Sequence, residues 1–347
     1  MKKKNRTGRI IRAALLGAIF TAFLLTGLAG CKKEKSADLV IWTYDSFISE
    51  WGPGPEVSKI FEDKNGIKIT WVSHGDAGEI VSRLIQEGAG SNADIILGFD
   101  QNLAPRVFNS GLLEAYRPKG ADKIFKELVL NSDFHITPFD YSYFAIIYDS
   151  QAINPPPQSL EDLTSAQFKQ KLILIDPRTS SPGLGFFAWV KEIYGANWQD
   201  YWRRLKPSIL TVAGGWSSAY GLFTRGEAPL VLSYTTSPGY HLEYEGTERY
   251  KAAIFTDGHA MQIEAAGLLK TAKNKDNAKA FLDFMISPDF QNIIPLTNWM
   301  YTVIDIPLPD SFRINPKSDK PLLPSPVSES DLNEWAALMI NSPQEKN

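Results

Sequence analysis

Short apolar runs that alternate with helical patterns limit this sequence to one class of fold. The apolar runs, which predict buried strands, lie at 39–43, 67–72, 94–97, 172–175 and 230–232. Helices are predicted where apolar residues recur at helical spacing, at 56–63, 79–87, 184–194, 219–223 and 277–285. Strands that alternate with helices are typical of α/β proteins, and 347 residues are enough for two domains. We therefore predict two α/β lobes with a ligand cleft between them.

The amino-terminal segment predicts export from the cytoplasm. Residues 2–12 are basic, and 13–28 form an apolar run shorter than the roughly 20 residues of a membrane-spanning helix. The run ends in Leu28-Ala29-Gly30-Cys31, and Cys31 is the only cysteine. This motif resembles a lipobox, where the cysteine is acylated after cleavage of the bond before it. We predict a lipoprotein signal peptide at 1–30, a lipid-anchored tether at 31–37 and a location in the periplasm or at the cell surface. An ordinary signal peptide is the alternative.

The charge distribution argues against a nucleic-acid partner. The chain has 36 Lys+Arg and 39 Asp+Glu, and six of the basic residues precede residue 31, which leaves 36 − 6 − 39 = −9 for the body. Nucleic-acid-binding proteins need a basic face. The body also has no cysteine and no second apolar run that could span a membrane. Disulfides and thiol chemistry are therefore excluded, and the predicted membrane contact is the lipid on Cys31.

Polar and aromatic residues follow the predicted strands, at the sheet edge where α/β proteins bind ligands. The aromatic residues in loop-like contexts are Tyr44, Trp51, Trp216, Tyr234, Tyr240, Trp299 and Tyr301. Their rings suit a flat or cationic ligand. Three acidic residues, Asp45, Asp76 and Asp100, could supply a counter-charge; solvated loop or helix-capping roles are the alternative.

Two loops have the pattern of an anion site. Ser180-Ser181-Pro182 and Gly214-Gly215-Trp216 each place hydroxyls or free amides at a predicted helix start. A plainly capped helix start is the alternative in both cases.

Motifs for catalysis are weak, so we predict a protein that is not an enzyme and holds no metal. The four histidines form no H-E-x-x-H motif, and neither a P-loop nor a G-x-S-x-G motif is present. His74, Asp76 and Glu79 lack a further metal ligand at a suitable spacing. One rival hypothesis is a hydrolase that uses Ser180 or Ser217 with His74 or His241. Another is a ferric site built from Tyr234, Tyr240 and His241.

Five segments carry a resemblance to a known family. They are Trp-Thr-Tyr-Asp-Ser-Phe (42–47) with Trp-Gly-Pro-Gly-Pro (51–55), Asp-Pro-Arg-Thr-Ser-Ser-Pro-Gly-Leu-Gly (176–185), Gly-Trp-Ser-Ser-Ala-Tyr-Gly-Leu-Phe (215–223), Leu-Ser-Tyr-Thr-Thr-Ser-Pro-Gly-Tyr-His (232–241) and Asn-Trp-Met-Tyr (298–301). From about residue 38 to residue 310 the chain resembles the thiamine-binding proteins of bacterial thiamine ABC transporters. Members of that family are usually soluble, and the lipobox departs from this.

The resemblance implies a two-lobed periplasmic-binding-protein fold of type II. We expect lobe 1 to comprise 38–141 and 259–300, and lobe 2 to comprise 142–258 and 301–347, with crossing strands near 139–148 and 253–268. The ligand would be thiamine, thiamine monophosphate or thiamine diphosphate, carried as cargo without a cofactor. The partners would be an ABC permease and its ATPase, and the receptor would be a monomer. A ferric-ion or oxyanion receptor of the same fold is the alternative.

The resemblance also implies a set of ligand-binding residues. The ring system would lie among Tyr44, Trp51, Tyr234, Tyr240 and Trp299, with Asn298 beside them and the Asp76 carboxylate nearby. The hydroxyethyl or phosphate end would meet the loops that contain Ser180, Ser181, Gly215 and Trp216.

Overall fold

A mixed β-sheet runs through the structure, a computed structural model that describes residues 39–341. Its strands within that range are β1 (Leu39–Thr43), β2 (Ile69–Ser73), β3 (Ile95–Asp100), β4 (Leu113–Glu114), β5 (Thr137–Asp149), β6 (Leu172–Ile175), β7 (Ile209–Ala213), β8 (Leu230–Tyr234), β9 (Tyr250–Ala253), β10 (His259–Leu269), β11 (Tyr301–Thr302) and β12 (Pro321–Leu322). The signal peptide, the tether and Cys31 lie outside the described residues, so their predictions are not addressed by the fold.

Helices connect and cover the strands. They are α1 (Gly54–Asn65), α2 (Ala77–Glu87), α3 (Ala104–Asn109), α4 (Ser181–Tyr194), α5 (Trp198–Leu205), α6 (Trp216–Thr224), α7 (Ser237–Glu245), α8 (Lys275–Met285), α9 (Pro288–Gln291), α10 (Ile294–Thr297) and α11 (Glu329–Asn341). Within residues 39–341, no helix combines the length and the apolar character needed to cross a bilayer.

The strand order is β2-β1-β3-β10-β5-β8-β6-β7. β1 runs parallel to β2 and β3, and β6 runs parallel to β7 and β8. Between these two parallel groups, β10 is antiparallel to β3 and to β5, and β5 is antiparallel to β8. The strands β1 and β6 are continuous apolar runs because helices cover parallel strands on both faces.

Two hydrophobic cores lie on either side of the central strands, which gives the fold its two lobes. β5 contributes Phe139 to the first core and Phe144 to the second, and β10 contributes Ile263 to the first and Ala260 to the second. These two long strands therefore pass from one lobe to the other. The residue limits of the lobes stay a prediction.

The predicted elements differ from the observed ones mainly at their ends. Helices α4 and α6 begin three residues earlier than predicted, at Ser181 and Trp216, because serine, proline or glycine in their first turns interrupts the apolar spacing on which the prediction rests. The predicted crossing segment 253–268 is wrong as one strand, because a turn divides it into β9 and β10. Gly258 in that turn has φ +95°, a conformation that favours glycine.

Candidate functional site

A cleft opens at the carboxyl ends of β1 and β8 and beside the middle of β10. It holds about 500 Å³ of empty space, part of which is open to solvent. Eight of the residues singled out in the sequence line it, namely Tyr44, Trp51, Asp76, Ser181, Trp216, Tyr234, Asn298 and Trp299. The other lining residues are Ser46, Pro182, Glu264, Thr297 and Met300. The cleft thus combines residues from both cores, with aromatic walls and acidic groups among them.

A second cavity adjoins the first on its aromatic side. Trp51, Trp216 and Trp299 line both spaces, and Tyr220 and Tyr240 line only the second. The Trp51 and Trp216 ring centroids are 6.3 Å apart, and Trp216 stacks on Tyr220 at 5.0 Å. Trp51 is 55% exposed, so its ring offers a large free surface for a flat molecule.

Trp299 has an unusual backbone conformation. Its φ of +56° places it in the left-handed region, at the position after the α10 C-cap where glycine is common. The ring stacks on Phe312 at 5.7 Å and meets the edges of Tyr240 and Tyr244 at the same centroid distance. A non-glycine residue in this conformation costs about 1–2 kcal/mol, and such residues concentrate at functional sites.

Asp76 joins the amino-terminal ends of three helices. Its carboxylate caps α2 by accepting from the Ala77 amide at 2.6 Å. It also accepts from Ser180 Oγ at 2.8 Å and from the Trp216 amide at 3.0 Å, at the starts of α4 and α6. Gly215 makes this approach possible, because a Cβ there would lie 2.9 Å from Asp76 Oδ2. Burial raises the pKa of Asp76 to about 6 even though these hydrogen bonds favour its charged form.

The predicted anion loops therefore face a carboxylate of the protein itself. Ser180 occupies the N-cap position of α4 but makes no side-chain bond to its own helix. Ser181 is buried and accepts from Gln262 Nε2 at 3.2 Å. Asp76 does cap a helix, as the alternative interpretation of the sequence held. A role in ligand binding stays a prediction for Asp76, Ser180 and Ser181.

Two buried acids of the site were missed by the sequence analysis. Glu264 accepts from Tyr44 Oη at 2.8 Å, and Asp140 accepts from Asn298 Nδ2 at 2.7 Å. Asn298 also donates to Tyr44 Oη at 2.9 Å, which links the two acids. The available signal was an acidic residue inside an apolar strand run, after Phe139 in one case and before Ala265 in the other.

Six binding candidates from the sequence do not line the first cleft. Ser180 and Gly215 lie against Asp76, and Tyr240 lines the second cavity. The other three lie elsewhere. Tyr301 packs on Tyr141 with centroids 5.4 Å apart. Asp100 accepts from the Asn102 and Leu103 amides at 3.0 Å. Asp45 is exposed and accepts from Ser217 Oγ at 3.3 Å.

The serine–histidine pairs of the hydrolase hypothesis do not form. Within residues 39–341, Ser180 Oγ donates to Asp76 and Ser217 Oγ donates to Asp45. His74 Nε2 is buried without a hydrogen-bond partner. The hypothesis needs a histidine within hydrogen-bond reach of the serine, and each of these two serines bonds to a carboxylate instead.

The histidine of the ferric-site hypothesis is not free to bind a metal. Both nitrogens of buried His241 are engaged, Nε2 with Tyr220 Oη at 2.8 Å and Nδ1 with Glu245 at 2.9 Å. The Tyr234 ring stacks on Phe144 with centroids 5.4 Å apart. Across the described part of the chain, no three histidine, cysteine or acidic residues are grouped so as to hold a metal ion.

Three comparisons with known proteins all find bacterial solute-binding proteins. A family profile described as "Bacterial extracellular solute-binding protein" matches residues 90–322. The "Thiamine-binding periplasmic protein" of Brucella abortus biovar 1 (strain 9-941) is 44% identical over 326 residues, which cover 92% of this chain and 96% of the relative. A solved structure, "Periplasmic thiamin binding protein", has a TM-score of 0.83 and 40% identity, covering 87% of this chain and 96% of its own.

The fold is shared more widely. The solved "Ferric binding protein from Campylobacter jejuni" has a TM-score of 0.71 over 87% of this chain and 98% of its own, at 22% identity. That likeness concerns the fold alone.

Proposed function

Because the chain belongs to the thiamine-binding periplasmic proteins, a family of bacterial extracellular solute-binding proteins, we propose that it captures thiamine or a thiamine phosphate in the cleft between its lobes and delivers it to an ABC importer. The observation that carries the proposal is a cleft with aromatic walls and a buried carboxyl, Glu264, in its lining. Closure of two lobes over the ligand gives the permease a surface that differs between the empty and the loaded receptor.

The aromatic walls suit the ring system of thiamine. We assign the thiazolium and the aminopyrimidine to the rings of Tyr44, Trp51, Tyr234, Tyr240 and Trp299, with Asn298 among them. A cation over an aromatic ring gains roughly 0.5–2 kcal/mol, depending on how far the contact is desolvated. Planar rings also bury a large area at small entropic cost. This half of the site is common to thiamine and its phosphates.

We assign the other end of the ligand to Asp76, Ser180, Ser181, Gly215 and Trp216. A hydroxyethyl group can donate to the Asp76 carboxylate while the Ser180 and Trp216 donors stay in place. A phosphate, by contrast, needs these donors for itself and meets the negative charge of Asp76. The protonation of Asp76 therefore bears on the choice between thiamine and its phosphates.

The location and the partners belong to the same proposal. We propose that Cys31 is acylated, that residues 32–37 tether the receptor to the outer face of a membrane, and that it serves a permease and its ATPase as a monomer. Stable attachment takes more than one acyl chain. The chain's role is binding, and the thiamine leaves it chemically unchanged.

A fluorescence titration tests the proposal. Thiamine should change the tryptophan emission saturably and raise the melting temperature, since a ligand that binds only the folded state stabilises it. Trp51→Phe should lose part of the emission change. Trp198→Phe, which alters a buried ring packed on Phe187, is the matched control and should keep it. A flat thiamine titration with an unchanged melting temperature, or a comparable response to ferric ion, would contradict the proposal.

A further inference from the structure

Three buried carboxyl groups lie side by side across the centre of the sheet. Glu264 of β10 is the register partner of Asp100 in β3 on one side and of Asp140 in β5 on the other. Asp100 and Asp140 are fully buried, and Glu264 is 5% exposed. Of the three, Glu264 is the one that lines the cleft.

No basic side chain neutralises this row. Within residues 39–341, none of the three acids takes part in an ion pair. Asp100 is satisfied by amides and by Asn102, but Asp140 Oδ1 is buried without a hydrogen-bond partner. Like charges directly opposite each other on neighbouring strands repel, and burial makes each charge more costly. Ionising both Asp140 and Glu264 is therefore unfavourable, and the pair favours binding a proton.

The surroundings of Asp140 and Glu264 also favour the protonated form of the pair. Burial raises the pKa of Asp140 to about 7, and burial together with the charge of Asp140 raises the pKa of Glu264 well above its usual value. The titratable groups that face the pair are Tyr44 from the end of β1, Asp100 from β3 and Tyr234 from β8. Tyr234 in turn feels the charge of Asp76. None of these groups carries a positive charge. A cation that enters the cleft is thus the missing counter-charge.

We propose that Glu264 is the residue by which the cleft selects a cationic ring, and that binding of the cation displaces the proton shared by Glu264 and Asp140. This inference rests on the proposed function, since the cation it assigns to the cleft is the thiazolium. The O–H bond of the protonated carboxyl breaks and the proton leaves to water. The carboxylate then pairs with the ligand charge, and no covalent bond to the ligand forms. Asp140 acts through Glu264 as a positioning residue.

Calorimetry in two buffers of different ionisation enthalpy measures the displaced proton. At pH 7 we expect wild-type protein to release a proton when it binds thiamine, and the release to disappear in Glu264→Gln. We also expect Glu264→Gln to lower the affinity for thiamine at least tenfold. The neutral probe 4-amino-5-hydroxymethyl-2-methylpyrimidine, which lacks the thiazolium, should bind wild type and Glu264→Gln with similar affinity and release no proton from either.

Two further variants keep the test decisive. Glu50→Gln removes an exposed acid that precedes Trp51 in the chain and lies outside the lining of the cleft, and it should leave proton release unchanged. Asp140→Asn should also abolish the proton release, and it serves as the test variant if Glu264→Gln does not fold. Saturable thiamine binding without proton release, or an equal loss of affinity for both probes in Glu264→Gln, would overturn the inference and leave the proposed function standing. A wild-type protein that binds no thiamine would overturn both.

Discussion

Replacing Trp299 by glycine and, separately, by alanine should distinguish what its ring contributes to binding from what its backbone costs the fold. Both changes remove the ring that stacks on Phe312 and meets Tyr240 and Tyr244. They differ in one respect, because glycine accepts a φ of +56° freely and alanine does not. The comparison therefore isolates the backbone.

The expected difference follows from two opposing effects. An L-residue in the left-handed region costs roughly 1–2 kcal/mol. Glycine offsets roughly 0.4–1 kcal/mol of this advantage, because the unfolded chain of the glycine variant is more flexible and loses more conformational entropy on folding. Trp299→Gly should therefore be about 1 kcal/mol more stable than Trp299→Ala. Loss of the ring should weaken the binding of thiamine and of thiamine monophosphate to a similar extent in both variants, by about 1–3 kcal/mol.

Urea unfolding followed by circular dichroism gives the free energies of unfolding, and calorimetry gives the affinities. An alanine variant as stable as the glycine variant would show that the left-handed conformation costs nothing here. A variant that keeps wild-type affinity for thiamine would show that the Trp299 ring is not part of the site.

Three other outcomes are expected. Asp140→Asn should gain stability over wild type as the pH rises from about 4 to about 7, because a carboxyl with a raised folded-state pKa destabilises the fold increasingly between its unfolded and its folded pKa; a difference in melting temperature that does not change across this range would contradict the shared proton. Ser180→Ala with Ser181→Ala should cost thiamine monophosphate more affinity than thiamine, and equal losses by calorimetry would mean that the serines only hold Asp76 and Gln262. Cys31→Ser should abolish metabolic labelling with a fatty acid, and retained label would place the lipid elsewhere.

The sequence predicts local features of the site better than those that depend on strand pairing. Apolar runs such as 172–175 predict strands well because helices cover both faces of a parallel strand. Asp76 could be recognised as a candidate because an N-cap residue lies next to the start of its helix. The aromatic residues could be recognised because Gly, Pro, Ser or Asn stands near them in the sequence, although Tyr234 ends β8 and Tyr240 lies in α7.

Glu264 and Asp140 escape prediction for a physical reason. Each is one acidic residue inside an apolar strand, and 124 positions of sequence separate them (264 − 140 = 124). Their meeting depends on the register of β10 against β5, which no local pattern encodes. The conformation of Trp299 is likewise set by the α10 terminus and by the rings packed on it, since a tryptophan has no preference for a positive φ.

The position of β10 in the sheet also governs how the chain can fold while it is being made. β10 lies between β3 and β5, yet the ribosome produces it long after both. Until residues 259–269 are available, β3 and the first half of β5 each expose an unpaired edge, and neither core has its full set of strands. Open edges of this kind are prone to pair with other chains. The nascent chain therefore keeps these strand edges open until synthesis reaches roughly the last quarter of the sequence, a state that suits transport in an unfolded form.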